Sequence, residues 1–310
     1  MGGWESFYKT KVSFIKMELN KEKILKAGKI VSQVREYART IVKPGVPLLE
    51  IAEKIEAEIV KHEGKPAFPT TFSINEIAAH CTPSHDDKTL AHGLIKVDFG
   101  VHIDGWPADN EFTVDLENSE ENKKMIIAAE EALKKAISIV KQGISTRDIG
   151  STVQETIESY GFTPLINLCG HSMEQYELHA GITIPSVNDF REVQLKEGLY
   201  AIEPFVTNGS GKVRDGRPSG IYELKDNKKP RSNLARETLA FIEKEYNNLP
   251  FCSRWLIKKL GLNVSLALRE LEANGNLHQF SQLVEISGSK VSQAEHTILI
   301  EKDKVIVTTM

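Results

Sequence analysis

Two aspartates interrupt an otherwise apolar stretch, VDFGVHIDGWPADNEFTV (97–114), whose alternating pattern predicts a half-buried β-hairpin. Buried carboxylates such as Asp98 and Asp109 repel each other unless one is protonated, is paired with a cationic side chain, or shares a metal cation with its neighbour. For these two residues alone, a hairpin with one salt-bridged aspartate is the simpler alternative. The chemistry that the pair could perform is therefore the binding of a divalent cation.

The hairpin turn fixes where these two side chains point. Asp104-Gly105 is a strong signal for a two-residue turn, which sets residue 100 opposite 109 and residue 98 opposite 111. Because side chains alternate between the faces of a strand, both aspartates lie on one face, roughly 7–8 Å apart at Cα. We expect Gly100, opposite Asp109, to leave room between them.

An internal repeat predicts two more acids at the same site. Residues 41–64 match residues 139–162, and each copy passes from an amphipathic helix through a Gly turn into a second helix. Downstream, GLIKVDFG resembles GLYAIEPF, which sets Asp98 opposite Glu203, and PADNEFTV resembles SQAEHTIL, which contains Glu295. The recurrence predicts a duplicated half-site in a fold with pseudo-twofold symmetry.

The segment GHSMEQYELHAG supplies imidazoles, because His171 and His179 are eight residues apart and share a face of an extended chain. One histidine and four carboxylates form a ligand set that suits Mn, Fe, Co or Zn. Carboxylates can bridge, so the pattern implies two divalent metal ions.

The elements that must position these residues indicate an α+β chain of two helix–helix–strand halves around an antiparallel sheet. Between the strands of Glu203 and Glu295 lies a net basic insertion with three helical segments and a short β-like stretch, similar to a winged helix. Helical periodicity begins only after Met17, which is a candidate start. The predicted division is a tail (1–16), a catalytic domain (17–223 and 287–310) and an inserted subdomain (224–286).

Bulk composition narrows the function classes. The 310 residues are 40% hydrophobic and carry a net charge of −4, so general binding to nucleic acid or to a membrane surface is not expected. Three scattered cysteines imply no disulfide framework, and the start lacks the apolar core of a signal peptide. We therefore expect a cytoplasmic protein. We also expect it to act as a monomer.

The assembled motifs resemble those of the methionine aminopeptidases of the pita-bread fold, in the type 2 branch of archaea and eukaryotes. The resemblance covers nearly all of residues 17–310. Its motifs, in chain order, are NEIAAHCTP, KVDFGVHIDGWPAD, NLCGHSMEQYELHAG, AIEPFVT, LPFCSRW and QAEHTILIEKD.

This resemblance implies removal of the initiator methionine from nascent chains with a small second residue, by a hydroxide that bridges two metal ions. Asp98 would then chelate one metal, His171 and Glu203 the other, with Asp109 and Glu295 bridging. Glu203 would also accept the proton of the attacking water.

The resemblance further implies residues that handle the substrate. His179 would hydrogen-bond the substrate carbonyl, and His80 would contact the scissile amide. The methionine pocket would fall on Phe68, Leu178 and Phe205, with Phe280 a weaker match. Ala294 and Cys81 stand where the family usually has aromatic residues. These departures would change the shape of the pocket but not the chemistry.

Three alternatives stay open. One is an Xaa-Pro peptidase similar to prolidase, although such enzymes usually carry an extra N-terminal domain. Another is a pita-bread protein that has lost catalysis and only binds, although such proteins typically lose metal ligands. For the insertion, contact with the ribosome or RNA is weighed against a solvated lid, and nucleic-acid binding is not favoured because no basic stripe is evident.

Overall fold

A computed structural model of the chain describes residues 19–190 and 192–310; the predicted tail and Met17 lie outside them. The helices are α1 (Lys21–Ile41), α2 (Leu48–Lys61), α3 (Glu120–Ile139), α4 (Thr146–Ser159), α5 (Asn233–Tyr246), α6 (Ser253–Leu260) and α7 (Val264–Ala273). Within the described residues, no helix combines the length and apolar character that crossing a membrane requires.

Most strands are short. In chain order they are β1 (Lys65–Pro66), β2 (Thr71–Ile74), β3 (Ile77–Ala79), β4 (Leu94–Ile103), β5 (Trp106–Asp115), β6 (Thr163–Pro164), β7 (Cys169–Met173), β8 (Thr183–Pro185), β9 (Gly198–Ile202), β10 (Phe205–Thr207), β11 (Val213–Leu224), β12 (Phe251–Cys252), β13 (Leu277–Glu285), β14 (Val291–Gln293), β15 (His296–Glu301) and β16 (Lys304–Val307).

Each half packs a helix pair on its own antiparallel sheet. In the first half, the apolar faces of α1 and α2 cover β2, β4 and β5, and their shared core includes Ile51, Phe72 and Phe99. In the second half, α3 and α4 cover β9 and β15 with a core that includes Met125 and Ile298. The predicted α+β class with two similar halves is confirmed.

Threonine hydroxyls join the two halves where β5 runs beside β14 and β15. The Thr297 hydroxyl accepts from the Asp109 backbone N–H at 2.7 Å and donates to the carbonyl of the same residue at 2.9 Å. Thr113 makes the matching pair of bonds to the Gln293 backbone. Because buried backbone groups must be paired, these hydroxyls fix one half against the other.

The insertion forms a separate apolar core against a sheet of its own. Helices α5, α6 and α7 pack together around Leu239, Phe251 and Leu268. Their sheet has the order β12-β11-β13-β3, so it includes β3 from the first half. The predicted start of the insertion, residue 224, is the last residue of β11. The strand itself begins at Val213, so the sheet of the insertion includes residues that precede the predicted boundary.

Candidate metal centre

The β4–β5 hairpin has the predicted register. Gly100 pairs with Asp109 and Asp98 with Glu111 across a turn in which Asp104 and Gly105 both have positive φ, 47° and 85°. This is the backbone geometry that a two-residue hairpin turn requires. Asp98 and Asp109 consequently share one face of the hairpin.

The predicted role of Gly100 needs correction. A Cβ built at this position would approach the Phe68 ring to 2.4 Å and the Ala67 Cβ to 3.0 Å. The missing side chain therefore makes space for an aromatic ring from the preceding segment. It does not leave an open gap between the two carboxylates.

The second half brings its three residues to the same place. His171 lies on β7, which pairs with β9, and Glu203 directly follows β9. Glu295 directly precedes β15, and its backbone N–H donates to the carbonyl of Glu111 on the first-half hairpin at 3.1 Å. The two half-sites thus face each other across the joint between the sheets.

The side chains meet at short distances. The Nε2 of His171 lies 3.6 Å from Asp109 Oδ2 and 3.5 Å from Glu203 Oε1. One ligand atom from each of Asp109, His171 and Glu295 falls within 4.8 Å of the other two, and all three residues are buried. Ligand atoms this close to one another can bind the same metal ion.

Burial makes the cluster unfavourable for ionised acids. It raises the pKa of Asp98, Glu203 and Glu295 well above the usual range, and neighbouring carboxylates add to this. Burial also raises the pKa of Asp109 to about 7 and lowers that of His171 to about 4. A divalent cation stabilises the ionised carboxylates and the neutral imidazole, which are the forms that bind metals.

The donor atoms of the cluster are also short of partners. Asp98 Oδ1, Asp109 Oδ1 and Glu295 Oε1 are buried and make no hydrogen bond among the described residues. An unsatisfied buried oxygen costs free energy that metal coordination offsets. The donor set of carboxylates and one imidazole therefore fits divalent metal ions.

The two further histidines lie next to this cluster. The ring of His179 packs edge-on against that of His171, with 4.5 Å between centroids. Burial, followed by the neighbouring His171 and His80, lowers the pKa of His179 well below its usual value. His80 has φ 61°, its Nδ1 lies 3.3 Å from the carbonyl of Ser281, and burial lowers its pKa.

The predicted methionine-pocket residues are distributed over more than one apolar cluster. Phe68 and Leu178 belong to one apolar cluster. Phe205 belongs to another, and Phe280 packs edge-on against His80 with 5.3 Å between ring centroids. Of these residues, Phe68 lies directly against the hairpin, where its ring covers Gly100.

Glu111 and Lys96 were not among the site residues predicted from the sequence. Both lie on the hairpin face that carries Asp98, as the predicted register with 98 opposite 111 already implied. Lys96 is 1% exposed, and burial lowers its pKa to about 7. Its Nζ donates to the carbonyls of Val291 at 2.7 Å and Asn75 at 3.2 Å.

Comparison with known proteins shows the family to which the chain belongs. Residues 22–301 match the model of "Metallopeptidase family M24", and the chain therefore belongs to this family. It is accordingly a metal-dependent peptidase, which is a hydrolase. A protein of Pyrococcus abyssi named methionine aminopeptidase is 46% identical over 293 residues, which cover 93% of this chain and 99% of that one. The resemblance inferred from the motifs is confirmed.

Two solved structures share the fold. A structure described as a thermophilic Arx1 has a TM-score of 0.81 and 17% identity, with 93% of this chain and 89% of that chain covered. A methionine aminopeptidase from Thermotoga maritima has a TM-score of 0.68 and 24% identity, with coverage of 96% and 99%. The predicted pita-bread fold is confirmed.

Proposed function

We propose that this chain removes the N-terminal, initiator methionine from nascent polypeptides whose second residue is small. The observation that carries the proposal is the convergence of buried Asp109, His171 and Glu295 within 4.8 Å in an M24 chain. The identity to a methionine aminopeptidase favours this function over an Xaa-Pro peptidase or a protein that only binds.

Five residues would hold two divalent ions, which we propose are Co, Mn, Fe or Zn. They are Asp98, Asp109, His171, Glu203 and Glu295. When bound, such ions polarise a carbonyl oxygen and lower the pKa of water. The proposal is supported by the unpartnered buried oxygens of this cluster and by the contacts of His171 Nε2.

Glu203 is the proposed proton acceptor. Gln293 Nε2 donates to its Oε2 at 3.1 Å, and its Oε1 faces His171. This arrangement fixes the carboxylate while it receives the proton of the attacking water and passes it towards the leaving amine.

We propose that one histidine accepts a hydrogen bond from the substrate and that the other donates one to it. A carbonyl oxygen only accepts hydrogen bonds, so His80 donates from Nδ1 to Ser281 and retains an acceptor lone pair at Nε2. That lone pair suits the N–H of the scissile amide. His179, held neutral by its buried surroundings, is proposed to donate to the substrate carbonyl as negative charge develops on it.

For the methionine pocket, the insertion, the oligomeric state and the location in the cell, we propose what the sequence predicted. Phe68, Leu178 and Phe205 would form the methionine pocket. The inserted subdomain (224–286) would contact the ribosome as an accessory to the catalytic domain (17–223 and 287–310), and the chain would act as a cytoplasmic monomer. The net basic charge of the insertion and its exposed Leu262 and Leu266 support such a contact.

Turnover of a Met-Gly peptide and of an Xaa-Pro dipeptide tests the proposed reaction. We expect release of methionine that stops on chelation and returns when Co²⁺ or Mn²⁺ is added, with little turnover of the Xaa-Pro substrate. Preference for the Xaa-Pro dipeptide would overturn the proposed function.

Substitution of the histidines tests their roles. We expect His179→Ala to lower kcat roughly 10²–10³-fold, as does loss of other oxyanion donors. His80→Ala should also lower kcat, because it removes the proposed acceptor for the scissile amide N–H. Metal content measured by mass spectrometry should stay at the wild-type level. A variant that loses a metal ion would show that its histidine is a ligand.

A further inference from the structure

Glu111 is a fifth carboxylate on the face that carries the candidate metal ligands. It lies directly opposite Asp98 in the β4–β5 ladder, two residues beyond Asp109 on the same strand. Side chains directly opposite on one face have Cβ atoms about 4.5–5.5 Å apart. Its carboxylate is therefore within reach of the same ion as Asp98.

The burial of this residue calls for a cationic partner. Glu111 is 4% exposed, and its Oε1 makes no hydrogen bond among the described residues. An ionised carboxylate in such a place costs several kcal/mol unless it is paired.

Lys96 does not pair directly with this carboxylate. Its Nζ donates to the carbonyls of Asn75 and Val291, and no ion pair within 4.0 Å joins it to Glu111 in the described part of the chain. The position of Glu111 directly opposite Asp98 leaves its carboxylate beside the metal-binding cluster.

We propose that Glu111 is an additional protein ligand of the metal centre, next to Asp98. This inference rests on the proposed function. It strengthens the difference between the two sides of the centre, because Glu111 adds a second carboxylate on the side of Asp98, whereas the other side includes the imidazole of His171. Oxygen ligands suit hard dications such as Mn²⁺, whereas imidazole suits Zn²⁺ or Co²⁺.

Calorimetric titration of the metal-free full-length protein with Mn²⁺ tests the inference without measuring activity. We expect Glu111→Gln to raise the Kd of one Mn²⁺ site roughly 10–100-fold, the range that loss of a supporting carboxylate causes. Glu111→Asp keeps the charge but shortens the reach by one methylene, so it should weaken the same site. Circular dichroism establishes that each variant is folded.

Glu76→Gln is the matched control. Glu76 also acts on Lys96, but it lies outside the β4–β5 hairpin, so its loss should leave Mn²⁺ affinity unchanged. Wild-type affinity in Glu111→Gln, or in Glu111→Asp alone, would overturn ligation. So would an equal loss of affinity in Glu76→Gln, since the effect would then pass through Lys96. If the wild-type protein itself binds no Mn²⁺, the proposed metal centre is wrong as a whole. This outcome is distinct from one in which only the role of Glu111 is wrong.

Discussion

A buried ion pair fastens the insertion to the first half. Arg254 on α6 donates through both terminal nitrogens to the two carboxylate oxygens of Glu56 on α2, each at 2.7 Å. Trp255 donates to the same carboxylate, and the Arg254 Nε donates to the carbonyl of Pro83. The two ionic side chains are only 4% and 12% exposed.

Removing one partner should be costly. Arg254→Met leaves the Glu56 carboxylate buried without its cation, which costs about 3–5 kcal/mol. At about 2 °C per kcal/mol for a large chain, Tm should fall by roughly 6–10 °C. Adding Glu56→Gln to this variant removes the unpaired charge and should restore most of the loss, because apolar and neutral replacements of a whole buried pair are often close to neutral.

Thermal unfolding of the two single variants and the double variant measures this coupling. Lys258→Met is the matched control, because Lys258 pairs with Glu53 between the same two helices but both side chains are exposed, 69% and 45%. Exposed pairs contribute about 0–1 kcal/mol, so its Tm should barely change. If the stability that the double variant loses relative to the wild type equals the sum of the two single-variant losses, there is no coupling and the buried-charge explanation is refuted.

Three further predictions follow from the site and its supports. Each divalent ion at about 100 times its Kd should raise the free energy of unfolding by about 2.7 kcal/mol, which calorimetry detects as a higher Tm; equal Tm values with and without metal would contradict the proposed centre. Gly100→Ala should displace the ring of Phe68, so KM for a methionyl peptide should rise more than kcat falls; unchanged kinetics would show that this ring lies outside the pocket. Glu285 is buried, but hydrogen bonds from the serines around it, including Ser210 and Ser287, outweigh burial and lower its pKa to about 2. Its contribution to stability is therefore present above about pH 4.3 and is lost as pH falls towards 2. When the free energy of unfolding is measured between these pH values, it should depend less on pH in Glu285→Gln than in the wild type.

Local rules were enough to predict the first half of the site. The turn at Asp104-Gly105 fixes strand register, and the alternation of side chains then decides which residues share a face. The same register also places Glu111 opposite Asp98, although only the two aspartates of the hairpin were predicted as ligands. The repeat pointed to acids in the second half, because a duplicated unit carries its chemistry to equivalent strands.

Tertiary packing decided what the chain alone could not determine. The contact of His171 with Asp109 depends on how β5 packs beside β15, which the Thr297 hydroxyl fixes from 188 residues away. The ring that fills the space over Gly100 likewise comes from a segment with no regular periodicity. Strand register, and the face of the strand on which each side chain lies, arise from backbone geometry within a hairpin. Both can therefore be predicted from residues that are close in sequence. Contacts between sheets depend on which surfaces bury together, and this is a property of the whole folded chain.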